Sequence, residues 1–164
     1  MKAIRILLLA VLIFILQLKV VPSIGLLGVA PDLVIVLLVA LVLERVPVAA
    51  VIIGFVLGFL QDLGNASFLG MNALAKSLIA YGVSRYGAGF LPESVLFKGL
   101  LIFAATLFDE VIALVVTTGF DLPVMIVSFF RYSILSALYT AVVGLIVFAV
   151  IDAATGRVVG SRAR

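Results

Sequence analysis

The chain has 164 residues, of which 66% are hydrophobic and 12% charged, and its formal net charge is +3. A water-soluble domain has roughly 45–50% apolar and about 25% charged residues, and it cannot hide this much apolar surface from water. The composition therefore excludes an ordinary soluble domain and predicts an all-α membrane protein, with lipid as its apolar solvent. We expect a single membrane domain over residues 1–164. A transmembrane β-barrel is disfavoured, because the apolar residues come in continuous blocks and do not alternate.

Residue types that many catalytic and metal sites use are missing, since the sequence contains no cysteine and no histidine. Disulfides, thiolate zinc sites, imidazole bases and Ser-His or Cys-His nucleophile pairs are therefore excluded. The sequence also lacks a GxxxxGK[ST] phosphate loop and the GxGD and HExxH protease motifs. We predict no catalytic residue, no cofactor and no metal. The basic charge is expected to orient the chain in a membrane and not to bind nucleic acid.

Six apolar segments follow one another along the chain. We predict that they are membrane-spanning helices over about 4–18, 32–43, 47–60, 71–83, 95–117 and 123–151. Pro31, Pro47 and Pro123 are expected in first helical turns, where proline is tolerated. The second, third and fourth segments are shorter than the roughly 20 residues that a spanning helix needs. We expect them to be extended by their flanks or shielded by neighbours, and a re-entrant second segment is an alternative.

Lysine and arginine predict the orientation. With both termini in the cytoplasm, the cytoplasmic regions hold Lys2, Arg5, Arg45, Arg85, Lys98, Arg157, Arg162 and Arg164. The external loops hold Lys19, while Lys76 and Arg131 fall inside segments. This bias follows the positive-inside rule. The N-terminus also resembles a secretory signal, with a weak cleavage site at Gly28-Val29-Ala30, but cleavage there would break the charge alternation.

Four ionisable side chains fall inside the predicted spans: Lys76, Asp109, Glu110 and Arg131. Such groups cost several kcal/mol each unless they are paired or hydrated. At about 1.5 Å per residue, Asp109 and Arg131 lie roughly 12 Å, and Lys76 roughly 9 Å, below the outer helix ends. We predict an intramembrane polar layer in which one acid pairs with Arg131 and the other reaches toward Lys76. It is either a structural set of pairs, a cavity for a ligand or partner, or a proton relay.

Small residues predict close helix contacts. Gly54 and Gly58 form a GxxxG pattern in the third segment. The sixth segment carries two stripes of small residues at four-residue spacing, Ser133, Ala137 and Ala141, and Ser136, Thr140 and Gly144. Each stripe is expected to pack within the bundle or against a partner's helix.

Three motifs occur in a fixed order around the second, third and fourth segments. They are Pro31-Asp32-Leu33, Gly54-Phe55-x-x-Gly58-x-x-Gln61-Asp62 and Gly70-Met71-Asn72-Ala73-Leu74-Ala75-Lys76. In this order they resemble MreD, the rod shape-determining membrane protein family of bacteria. The resemblance extends well over residues 25–85. The second half, with Asp109-Glu110 and Arg131, matches no diagnostic pattern.

The resemblance implies a multi-pass protein of the bacterial cytoplasmic (inner) membrane that is not an enzyme. Members of the family belong with MreC and the MreB filament in the elongation machinery that directs cell shape and lateral peptidoglycan synthesis. That machinery includes the glycosyltransferase RodA and a class B penicillin-binding protein. The chain is thereby expected to be a scaffold or regulator that binds MreC directly and also contacts membrane lipid.

The resemblance also implies a six-helix fold similar to the S-components of energy-coupling-factor transporters. This similarity supplies an alternative function, a substrate-binding S-component for a vitamin or metal ion. Its ligand would enter the outer polar layer, and Gly54 and Gly58 would dock on a coupling protein. Against this alternative, the polar layer lacks histidine, tryptophan and cysteine.

Overall fold

The computed structural model describes residues 11–17, 19–25, 28–43, 45–64, 68–87 and 94–154. These residues are mainly helical and contain no β-strand. The helices are α1 (residues 11–17), α2 (Leu33–Val42), α3 (Pro47–Leu63), α4 (Met71–Tyr86), α5 (Val95–Thr118) and α6, which begins at Leu122. Helix α6 is an α-helix over Leu122–Ser128, widens into a π-turn over Phe129–Ser133, and continues as an α-helix over Ile134–Ala154. The predicted all-α class is confirmed.

The helices lie close to the predicted segments. For α2 to α6, the predicted limits and the observed ends differ by at most about three residues, which is the usual uncertainty of such limits. Of the first segment, residues 4–10 lie outside the described part of the chain. Also outside the described part are the terminal cations that support the predicted orientation, namely Lys2, Arg5, Arg157, Arg162 and Arg164.

Local chemistry explains where the helices begin. The carboxylate of Asp32 accepts hydrogen bonds from the backbone N–H groups of Val34 and Ile35, at 2.8 and 3.1 Å, and so caps α2. Ser94 caps α5 in the same way. Helix α3 starts at Pro47 and Pro123 lies in the first turn of α6, where the fixed φ of proline suits the helix. The prediction for Pro31 is wrong, because Asp32 caps α2 and Pro31 lies before the cap.

Helix α2 lies at the centre of the bundle. Its residues Val34–Val39 and Val42 are all buried, and Ile35, Leu38 and Val39 are 0% exposed. Burial of seven residues out of ten is typical of a core helix. Its 10 residues extend only about 15 Å, half of a hydrocarbon core roughly 30 Å thick. Helix α2 is therefore shielded by its neighbours, which is one of the alternatives expected for the short segments.

Two helices of the described chain are long and apolar enough to cross a membrane, Val95–Thr118 and Leu122–Val150. Two shorter apolar helices, Leu33–Val42 and Pro47–Leu63, accompany them. Helices α5 and α6 form a long antiparallel hairpin whose turn contains Gly119, in the left-handed region at φ 60°. A left-handed glycine ends α5 without the strain that a side chain would meet.

The predicted small-residue contacts lie inside the bundle. A Cβ atom on Gly54 would overlap the carbonyl oxygen of Lys76, and one on Gly58 would overlap that of Asn72. The GxxxG pattern therefore brings the backbones of α3 and α4 together. Both stripes of α6 are also buried: Ser133, Ser136, Ala137, Thr140, Ala141 and Gly144. Of the two expectations for the stripes, packing within the bundle is the one the structure shows.

Replacement of Gly58 by alanine tests the α3–α4 contact. The new Cβ would meet backbone atoms of Asn72 and Ala73 that cannot move aside easily. We expect Gly58→Ala to lower the free energy of unfolding by about 1–3 kcal/mol, measured as thermal unfolding in detergent. The matched control is Gly82→Ala on α4, where a Cβ meets no atom within 4 Å. The control should be neutral or stabilising by up to about 1 kcal/mol, and equal stability of the two variants would contradict the packing.

Candidate functional site

Lys76 of α4 lies in the middle of a buried polar cluster. Its side chain is 0% exposed, and its Nζ atom lies 3.4 Å from Asp32 Oδ2 and 3.2 Å from Asp109 Oδ2. It also donates to the side-chain oxygen of Asn72, at 3.4 Å. An ammonium group has three donors, so these three acceptors match its capacity. We call Asp32, Gln61, Asn72, Lys76 and Asp109 the Lys76 cluster.

Asp32 is the most heavily bonded member of the cluster. One carboxylate oxygen caps α2, and the other accepts from the Gln61 side-chain nitrogen of α3, at 3.4 Å. Its backbone N–H donates to Thr140 Oγ1 of α6, at 3.0 Å. The capping bonds orient the carboxylate, its contacts with Gln61 and Lys76 tie it to α3 and α4, and the backbone N–H of Asp32 ties it to α6.

Helix α1 closes this network. The side-chain amide of Gln17 accepts from the backbone N–H of Leu33 at 2.8 Å and donates to the carbonyl of Pro31 at 3.3 Å. With Gln17 included, each of the six described helices contributes a polar side chain to the surroundings of Asp32 and Lys76. A network that all helices share fixes their relative register.

Asp62, at the end of α3, caps the neighbouring helix α4. Its fully buried carboxylate accepts from the backbone N–H groups of Gly70, Asn72 and Ala73, at 3.0, 3.1 and 3.0 Å, and from the Asn72 side chain at 3.0 Å. The first N–H groups of a helix have no partner within it. Asp62 supplies those partners, and it holds Asn72 in place to contact Lys76.

The structure places the four predicted polar-layer residues in three different environments. Lys76 and Asp109 come together, as described. Glu110 accepts a hydrogen bond from Ser133 Oγ of α6, at 3.3 Å. Arg131 lies on the exposed side of α6, where its guanidinium carbon is 5.4 Å from the centroid of the Tyr132 ring.

The expected pair between Arg131 and an acid is absent among the described residues. Helical side chains two positions apart point about 200° apart, so the inward direction of Ser133 turns Arg131 outward. The π-turn over Phe129–Ser133 lies at this place. Asp109 is already occupied by Lys76, and Glu110 by Ser133. Arg131 is therefore outside the Lys76 cluster.

The cluster has one more formal negative charge than positive charge, because two carboxylates face one ammonium. Within the described residues, no three carboxylates come together to hold a metal ion, and Lys76 occupies the space between Asp32 and Asp109. The chemistry that this arrangement supports is charge pairing in an apolar bundle.

Sequence reasoning missed the contribution of Asp32, Gln17 and Thr140 to the site. The signal for Asp32 was present, because Asp32 and Lys76 both belong to the three ordered motifs. Gln17 and Thr140 gave no comparable signal. Their roles depend on where α1 and α6 pass the start of α2, which residue spacing does not show.

The comparison with family models decides the identity. The model described as rod shape-determining protein MreD matches residues 2–153. The chain belongs to the MreD family. No curated protein and no solved structure matches it.

In this MreD-family chain, the three ordered motifs build one structural feature. Asp32, Gln61, Asn72 and Lys76 are members of the cluster, and Asp62 and Gly70 form the start of α4 beside it. The motif residues Pro31, Gly54 and Gly58 lie buried where α2, α3 and α4 meet. Membership of the family establishes a rod shape-determining membrane protein.

Loss of the central cation should destabilise the bundle strongly. The Lys76→Met variant leaves Asp32 and Asp109 without their counter-charge. We expect it to lower the free energy of unfolding by about 3–5 kcal/mol, measured by thermal unfolding in detergent. Arg131→Gln is the control and should change it by less than about 0.5 kcal/mol. The Lys76→Met/Asp109→Leu double variant should recover part of the loss, and a loss no larger than that of the control would contradict the pairing.

Two aspartate caps provide a matched comparison. Asp62 accepts from four N–H donors in a buried position, whereas Asp121 is exposed and accepts from Val124 alone at 3.3 Å. Asp121→Ala should cost about 0.5–2 kcal/mol, as for an ordinary cap. Asp62→Ala leaves several buried donors unpaired, at about 1–3 kcal/mol each, so it should cost distinctly more. Equal losses in chemical unfolding would show that Asp62 is only an ordinary cap.

Proposed function

We propose that this MreD-family chain is a non-catalytic membrane scaffold or regulator that binds MreC. In this role it supports cell shape and lateral peptidoglycan synthesis, in an assembly with MreB, RodA and a class B penicillin-binding protein. The family match over residues 2–153 carries the proposal. The arrangement of polar groups supports it, because they are used to hold the helices together.

The Lys76 cluster is, in this proposal, a structural set of pairs. Each of the three ammonium donors of Lys76 has an acceptor within 3.4 Å, in Asp32, Asn72 and Asp109. A ligand would have to displace one of these buried partners and leave it unpaired, which is costly. This argument favours a registry role over a ligand cavity and over a proton relay.

We further propose six crossings of the bacterial cytoplasmic membrane, with both ends in the cytoplasm. The lengths and apolar composition of α5 and α6 support two of the crossings. The burial of α2 supports a third, short element that neighbours shield from lipid. Arg45 and the end of α4 near Arg85 lie together, because Ser84 Oγ donates to the Arg45 carbonyl. The positive-inside rule places that end in the cytoplasm.

The proposed contact face for MreC is the outer face of α6, defined by Val127, Phe130 and Arg131. No residue of Leu122–Ser128 is buried, and Val127 and Phe130 are 62% and 68% exposed. A cation on an apolar helix face is costly in lipid unless it finds a partner. The membrane-spanning helix of MreC, offering an acceptor group to Arg131, would satisfy this charge and cover the two apolar side chains.

The S-component alternative has less support. Docking through Gly54 and Gly58 is not available, because both glycines pack on α4. The two stripes of α6 are also buried in the bundle. The faces that such a protein would need for its coupling partner are thus already used, and we do not propose it.

Recovery of MreC from native membranes tests the proposal. Arg131→Gln and Phe130→Ala should each reduce the amount of MreC that purifies with the chain, because each removes part of the outer face of α6. We expect a loss of more than about tenfold for the double variant, since a buried charged contact and an aromatic anchor each contribute more than about 1 kcal/mol. Cells that depend on the variant should lose their rod shape.

Arg85→Gln is the matched control, since it removes an exposed arginine from a different helix, at the end of α4. It should leave MreC recovery unchanged. Full recovery with the double variant would exclude the outer face of α6 as the contact. Absence of MreC from purifications of the unaltered chain would contradict the proposed function itself.

A further inference from the structure

An apolar groove of about 670 Å³ lies between α4 and α5. Its floor contains Ile79, Val83 and Ala105, which are 5–6% exposed. Its walls contain Leu100 and Phe108, which are 61% and 46% exposed. The groove therefore opens outward from the bundle, and none of the Lys76 cluster residues lines it. Its volume falls in the range of roughly 300–1,000 Å³ that small-molecule ligands occupy.

The groove has the length of one membrane leaflet. Along α4 it runs from Leu78 to Gly87, and along α5 from Phe97 to Phe108. At about 1.5 Å per residue these stretches measure roughly 14 and 17 Å. A hydrocarbon core is about 30 Å thick, so one leaflet is about half of that. A partner's spanning helix would need the full thickness and a width of about 10 Å, which favours a single extended chain as the occupant.

A cation lies at one end of the groove. Tyr86 lines that end, and the guanidinium carbon of Arg85 is 5.8 Å from the centroid of its ring. Arg45 belongs to the same end, as its carbonyl accepts from Ser84. A tyrosine beside an arginine is typical of the level of lipid headgroups, and cations there attract anionic lipids.

We propose that this groove binds one acyl chain of an anionic phospholipid, with the lipid phosphate on Arg85. The match of length, apolar lining and terminal cation supports this occupant. The site is separate from the Lys76 cluster and from the outer face of α6. It does not depend on the proposed contact with MreC.

Native mass spectrometry of the full chain, released from nanodiscs that contain equal phosphatidylglycerol and phosphatidylcholine, tests the proposal. The unaltered chain should retain one phosphatidylglycerol, with a preference of about fivefold over phosphatidylcholine, as one arginine near a lipid surface provides. Gly82→Leu and Ala104→Leu fill the groove from its two opposite helices. Each should reduce lipid retention about tenfold, the loss expected when roughly ten carbon–carbon packing contacts between the acyl chain and the groove are removed.

Arg85→Gln should abolish the headgroup preference while an acyl chain still binds. Ala149→Leu is the matched control on α6, at an exposed position outside the groove, and should change neither retention nor preference. A Cβ at position 82 meets no atom within 4 Å, so Gly82→Leu is expected to fold, and thermal unfolding checks this. The two leucine variants act from different helices, so the test does not depend on the folding of one of them.

Three results would overturn the proposal. The first is equal retention of the two lipids by the unaltered chain. The second is unchanged retention in a folded Gly82→Leu or Ala104→Leu variant. The third comes from a photoactivatable residue at Leu100 in native membranes. The expected cross-link from this position is to phospholipid. A cross-link to another protein, or to residues 88–93 of this chain, would overturn the proposal by assigning the groove a different occupant. MreC recovery from the same membranes should be unaffected by either leucine variant, which separates this test from that of the proposed function.

Discussion

The pairing of one buried lysine with two aspartates is the interaction on which the bundle depends. In an apolar medium an unpaired charge costs several kcal/mol, so Lys76 compels α2, α4 and α5 to meet where Asp32 and Asp109 can reach it. Apolar side chains cannot impose such a register by themselves, because lipid is as apolar as they are. The cluster therefore provides specificity, which hydrophobic contact between helices does not.

Close backbone packing makes this pairing possible. Because Gly54 and Gly58 have no Cβ atom, the backbone of α3 can approach that of α4 so closely that a Cβ at either position would overlap α4. At this separation Asp62 of α3 can bond the first N–H groups of α4, and the cap in turn holds Asn72 beside Lys76. The outside of the bundle differs, since it is mainly apolar and carries exposed charges such as Arg85, Asp121 and Arg131. The buried polar groups thus hold the helices together, and the contacts that we propose with MreC and with lipid lie on the outer faces.

The sequence was sufficient to predict the helices and to select most residues of the site, but not all of their contacts. Continuous apolar blocks and proline positions located α2 to α6 well, because helix ends follow local chemistry. The contact of Lys76 with an acid followed from depth along the helices. The direction of Arg131 did not, because the rotation of α6 depends on Ser133 meeting Glu110. Nor does the sequence show that Asp32, at the start of α2, reaches Lys76, because spacing alone does not reveal that α2 is buried among five neighbours.

The most direct test of a structural role for the cluster is to make it uncharged while the bundle stays folded. A triple variant, Lys76→Met with Asp109→Leu and Asp32→Asn, removes all three charges and keeps a capping side chain on α2. Well-packed apolar groups often replace a buried ion pair without loss of stability. Expression of the triple variant should therefore restore the rod shape of cells depleted of their own copy of the protein. The thermal stability of the triple variant should be close to that of the unaltered chain. A folded triple variant that leaves the cells round would contradict the account, because the charges would then act on something other than the fold.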